Sequence, residues 1–132
     1  MALTRLAGAL ILALTACQTT SPRPAYAPRT RAVTVTTVPL LVKEDAKTLP
    51  FLQRDFAPGG VLEGREVYGF APSTITMVAG DTLDLTFINP EDDQHSFVIE
   101  GLVVALPPQQ RVRARWVAPR PGIFPFVCSV PA

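Results

Sequence analysis

The chain has 132 residues carrying 12 basic and 11 acidic side chains. That length holds one domain of ordinary size and no second one, and so even a charge balance leaves no electrostatic footprint for nucleic acid. Fourteen prolines and eight glycines argue for many turns and few long helices, so an all-β domain is expected, and no tuned carboxylate pair or hydrolase elbow points to an enzyme.

In chain order, Met1–Arg5 supplies one positive charge, and Leu6–Leu14 is a run of apolar or small residues. A bilayer span needs about 20 residues, so this run is too short to cross but suits the core of a secretory signal. It ends in Leu14-Thr15-Ala16-Cys17, which resembles the bacterial lipobox: an aliphatic residue, two small ones, then the cysteine that takes the lipid. The resemblance implies a lipoprotein signal peptide over 1–16, lipidation at Cys17, and export to a bacterial membrane, facing the periplasm or the cell exterior. Each acyl methylene then contributes about 0.8 kcal/mol of membrane affinity. An ordinary signal peptide, or a Cys17–Cys128 disulfide in an exported protein, are the alternatives. Gln18–Arg31 is rich in Pro, Thr and Ala without an apolar period, so 17–31 is expected to be a lipidated cysteine on a flexible tether, with the fold beginning at residue 32.

Ala32–Val38 alternates valine with threonine and is a predicted strand. Between Pro39 and Gly60 the residues Leu40, Leu41, Leu49, Phe51, Leu52 and Phe56 are too apolar for a solvated loop. This stretch is expected to be an irregular or partly helical insertion packed over one side of the fold, with Thr48 capping a turn before Pro50. Val67–Phe70 leads to Pro72, and Thr74–Val78 reads as a strand followed by an Ala79-Gly80-Asp81 turn. Thr82–Asn89 sets Leu83, Leu85 and Phe87 on one face; His95–Ile99 sets His95, Phe97 and Ile99 together. Arg111–Val117 places Arg111, Arg113 and Arg115 opposite Val112, Ala114 and Trp116, as a solvated face or a docking surface. Ile123–Cys128 is the last predicted strand, weakened at Pro125, with Phe124, Phe126 and Cys128 on one side. Short strands at this spacing suggest a Greek-key β-sandwich.

Alone, one histidine and one cysteine are weak signals. Three phrases change their meaning: Phe70–Asn89 with its core Ala79-Gly80-Asp81-Thr82-Leu83-Asp84-Leu85-Thr86-Phe87-Ile88-Asn89, then His95-Ser-Phe-Val-Ile99, then Pro121-Gly-Ile-Phe-Pro-Phe-Val-Cys128. Together they resemble the cupredoxin family of blue copper proteins, over Thr74–Cys128. The resemblance implies a cupredoxin-like sandwich, copper as cofactor, His95 as the first imidazole ligand and Cys128 as the thiolate. Phe97, Phe124 and Phe126 would form the apolar shell, and Ser96 and Asn89 outer hydrogen-bonding groups. A type 1 site takes two His, one Cys and a weak axial Met.

Here the sequence departs from the pattern. Family members continue past the thiolate with a second His and a Met, whereas this sequence reads Cys128-Ser-Val-Pro-Ala132. Met77 lies in a predicted strand and reads as core. The domain over 32–132 is therefore expected to lack its C-terminal ligand loop and to have an incomplete C-terminal edge. The alternatives are completion by a partner or a second copy, and a fold that has lost its metal. The function implied is membrane-anchored copper binding with single-electron transfer to a redox partner protein. Copper trafficking or storage with a donor or acceptor protein, or a metal-free interaction domain, are the other readings.

Overall fold

The computed structural model describes residues 25–129, so the signal peptide and the lipidation reading at Cys17 lie outside the described residues. Within them the period of two governs. Strands form at Thr30–Leu41 (β1), Val67–Ala71 (β2), Thr82–Asn89 (β3), His95–Ile99 (β4), Leu102–Leu106 (β5) and Gln110–Val117 (β6). One sheet has the order β2-β1-β3-β6, with β1 parallel to β3 and the other pairs antiparallel; β4 and β5 make a second, two-stranded sheet. In β3, Leu83, Leu85, Phe87 and Asn89 are all buried while the residues between them are not. Leu83, Leu85 and Phe87 meet Val35 and Trp116 of the same sheet and Phe97, Ile99, Val104 and Leu106 of the β4–β5 hairpin in one hydrophobic cluster. A β-rich chain whose two sheets share a core is compatible with an all-β sandwich.

The boundaries of β3 and β4 coincide with those read from alternation, and Arg111, Arg113 and Arg115 are exposed on β6 as expected. The Pro39–Gly60 stretch is partly helical: Asp45–Thr48 (α1), a 3₁₀ turn at Pro50–Leu52 and Gln53–Phe56 (α2). Leu52 is the residue of these turns that is buried, and Phe51 is 73% exposed. Thr48 does not cap the turn at Pro50; its hydroxyl donates to the carbonyl of Asp45, the first residue of α1.

Two expected strands are corrected, and one unexpected strand appears. Thr74–Val78 joins no ladder, although Ile75 and Met77 do pack against the core, Met77 as the core residue it was read to be. Ile123–Cys128 is not a full strand; it meets β4 through one bridge, Val98 with Val127, whose two backbone hydrogen bonds are 2.9 and 3.0 Å. Pro125, which has no N–H to give, sits two residues before that bridge. β5 was not read from the sequence because Leu102–Leu106 is a continuous apolar run without alternation. Its turn from β4 uses Gly101 at φ 79°, where a side chain would be strained.

Asp81 closes the other end of the fold. It is 0% exposed, and it accepts from the Tyr26 hydroxyl at 2.5 Å, the Arg29 backbone N–H at 2.8 Å and Arg31 Nε at 2.5 Å. Residues 26–31, read above as tether, are thereby tied into the fold, and β1 begins at Thr30 rather than 32. The Tyr26 hydrogen bond and, after the cost of burial, the Arg31 and Arg29 donors hold the Asp81 carboxyl well below its ordinary range. A depressed pKa adds stability above the unfolded value, near 4, and that stability is lost as pH falls through the folded value. Asp81→Asn is therefore expected to lower Tm by several degrees at neutral pH and to flatten the fall of Tm below about pH 4, measured by thermal melts across pH.

Candidate metal centre

The first of the sequence-predicted ligands, His95, opens β4, and its side chain is 5% exposed. Its ring lies against Tyr68 of β2, centroids 4.5 Å apart at 59°. Burial and the hydrogen bond its hydroxyl gives Glu66 at 2.8 Å push the Tyr68 pKa far up, so Tyr68 stays neutral. Sequence reasoning passed over Tyr68; the two-residue spacing that sets it on the same side as Phe70 was the available signal.

The second predicted ligand, Cys128, is brought to the first. His95 Nδ1 and Cys128 Sγ are 3.9 Å apart although 33 residues separate them. That is long for a hydrogen bond, even to sulfur. It suits two donors of one ion: for a first-row ion such as zinc, bonds of about 2.0 Å to nitrogen and 2.3 Å to sulfur meeting at roughly 125° put the donors about 3.8 Å apart. The other ring nitrogen, Nε2, is buried without a hydrogen-bond partner. The thiol belongs to an exposed residue, as a group that meets an ion from solvent would.

Ser96 organises the sulfur. Its backbone N–H points at Cys128 Sγ at 3.4 Å, a donor that would stabilise negative charge on sulfur. The Ser96 hydroxyl oxygen lies 3.0 Å from the Ser129 hydroxyl and accepts from the Ser129 backbone N–H at 2.9 Å. Ser96 was picked from sequence as an outer group; Ser129 was missed, because nothing in Cys128-Ser129-Val130 distinguishes a clasp from a coil.

Asn89 does not touch His95, but it sets the loop that leads to it. Its buried amide donates to the carbonyls of Asp93, Leu106 and Pro107 at 2.9, 3.0 and 3.1 Å. Its oxygen accepts from the Thr37 hydroxyl at 2.8 Å and the Glu91 backbone N–H at 3.2 Å. One side chain thus joins β1, the Pro90–Gln94 loop and the end of β5 opposite His95. Asn89→Leu is expected to cost about 2–4 kcal/mol in denaturant unfolding, because the buried partners lose their bonds together. Asn89→Asp keeps the acceptor oxygen but turns a second oxygen toward the carbonyls of Asp93, Leu106 and Pro107, so it should also be destabilising.

Of the three phenylalanines expected around the site, Phe97 and Phe126 stack on each other at 5.0 Å, and Phe97 also packs on Phe70 at 5.4 Å and Phe87 at 4.7 Å. Phe124 instead meets Trp116 at 5.2 Å, toward the Leu83 end of the sheet and away from Asn89. Among the described residues no three His, Cys, Asp or Glu side chains converge. The described residues therefore bring together two potential donors of one ion, an imidazole nitrogen and a thiol.

No protein-family model matches the chain, and neither does any curated protein or solved structure.

Proposed function

We propose that the chain is a membrane-anchored, cupredoxin-like protein with a Greek-key sandwich, which binds copper through His95 and Cys128 and passes single electrons outside the cytoplasm. The observation that carries this reading is the 3.9 Å approach of a buried imidazole nitrogen to an exposed thiol, across 33 residues of chain. Copper held there would supply a one-electron couple whose thiolate favours the cuprous state and whose imidazole supports both states. His95 would bind through Nδ1, with the ring proton on Nε2. Cys128 would bind as thiolate, and the Ser96 N–H would draw electron density from the sulfur and favour reduction. The stacked Phe97 and Phe126 would keep water from the protein side and hold the donors still. Cys17 would fix the chain to the membrane. The reading assigns no catalysis to the chain.

A second reading rests on the count of two donors, one of them an exposed cysteine. Such a pair suits transient copper(I) binding, in which the ion is received from and handed to another protein. Copper titration with electrochemistry separates the two. Electron transfer requires a reversible couple and an intense visible thiolate-to-copper band; trafficking requires tight cuprous binding with neither. A chain that binds copper in neither state removes both.

A further inference from the structure

The metal reading leaves the arginines of β6 unused. Arg111, Arg113 and Arg115 are exposed on the outward side of that strand, about 7 Å from one to the next by the two-residue repeat. Arg115 alone has an acidic neighbour, Asp84 at 3.9 Å; among the described residues Arg111 and Arg113 form no ion pair. Among the described residues β6 bonds to β3 on one side only, and its other backbone edge joins no ladder. At the Arg111 end a hollow of about 420 Å³ opens between Ile88, Pro90, Gln109, Gln110 and Arg111.

This end is the metal end. Gln110 pairs with Asn89, the residue whose amide binds the carbonyls of Leu106 and Asp93, and Leu106 faces His95 across the hairpin. We infer that the outer edge of β6, from the hollow at Arg111 to Arg115, is the docking surface for an acidic protein partner, placed beside the His95–Cys128 site. The inference deepens the reading above and rests on it only for what the partner exchanges.

Two features favour a protein over an anionic membrane. The row is a single line about 13 Å long beside the hollow, whereas the positions of β1 and β3 that share its face are threonine, alanine, Asp84 and Ile88. The chain also enters the sheet at Thr30, paired with Thr82 and so level with Val117, about 20 Å of strand away from Arg111. A chain tethered through Thr30 therefore enters the fold at the end away from Arg111. Glu91, Asp92 and Asp93 follow Pro90 of the hollow in the chain, and their like charge would keep an acidic surface on the β6 side.

The test uses the chain after signal removal, with Cys17→Ser in place of the acylated residue and no metal present. Fluorescence anisotropy follows a labelled oligoglutamate peptide, and flotation follows binding to phosphatidylglycerol vesicles. The expected result is peptide binding that weakens from low to physiological salt and falls about tenfold or more in Arg111→Glu/Arg113→Glu. Lys47→Glu/Arg54→Glu, the same charge change on the helical turns, should alter it less than about twofold. Equal loss in both double variants, or no loss in the first, overturns the proposal. So does vesicle binding that depends on Arg111 and Arg113 when peptide binding does not, which would assign the row to a membrane. Since no metal is present, failure here removes the docking surface alone, and failed copper titration removes the metal reading alone.

Discussion

Cys128→Ser is expected to abolish the visible thiolate-to-copper band and to weaken copper(I) binding by well over a hundredfold, read by competition with a chromophoric chelator. Outer-shell changes at metal sites typically cost about 10–100-fold, and this substitution removes a donor atom itself. A hydroxyl at the same place keeps the volume but offers a hard, protonated oxygen that copper(I) binds poorly. The fold should survive, because Cys128 is exposed and its sulfur receives one N–H at 3.4 Å. Melting within a few degrees of the parent would show that the loss is chemical rather than structural. His95→Ala should lose copper as well, but with a cost in stability, because the ring is buried against Tyr68. A Cys128→Ser protein that keeps the parent's copper affinity would mean that the ion, if bound, sits elsewhere.

Phe97→Ala is expected to cost about 3–5 kcal/mol, the range for a large aromatic removed from a core. Phe97 is 1% exposed and touches aromatic rings on three sides, Phe70, Phe87 and Phe126. The second consequence is local. The segment carrying Cys128 is attached to β4 by one bridge at Val98 and Val127, by the Ser96 contacts to Cys128 and Ser129, and by the Phe97–Phe126 stack. With the stack gone, only hydrogen bonds hold this segment to β4. Copper affinity should therefore fall along with the denaturant midpoint, even though Phe97 is not a ligand. Phe126→Ala, at a half-buried position, should reduce copper affinity by a similar factor with a smaller loss of stability. If Phe97→Ala unfolds at the parent's midpoint, the core is not centred where the structure puts it.

Alternation made much of this legible. In Thr82–Asn89 and His95–Ile99 each side chain's face follows from its position in the sequence, because those strands lie on a single buried surface and a slip of one residue would expose Leu83, Leu85 and Phe87. The same rule set His95 and Phe97 on one side. It failed where pairing, not pattern, decides. Thr74–Val78 has strand-forming residues and an inward Ile75 and Met77, but no neighbour offers it a ladder, and Pro125 interrupts the segment that could. β5 was hidden for the opposite reason: Val103 and Ala105 are apolar yet exposed, so no polar residue marks the outer face. At the site, His95 and Cys128 were legible by resemblance to a family of phrases, and Ser96 by its position between ligand and shell. Tyr68 and Ser129 were not, since what they touch depends on how distant segments meet. The tie from Tyr26, Arg29 and Arg31 to Asp81 was invisible for the same reason: a proline-rich tether and a buried carboxylate in a turn give no sign of each other until the chain is folded.

The central claim is that Nδ1 of His95 and the sulfur of Cys128 belong to one copper ion. X-ray absorption at the copper edge of the loaded full chain tests it most directly. The account requires one short copper–sulfur shell together with imidazole scattering in the parent, loss of the sulfur shell in Cys128→Ser, and loss of imidazole scattering in His95→Ala. A copper spectrum made only of oxygen and nitrogen neighbours, unchanged by either substitution, would contradict it.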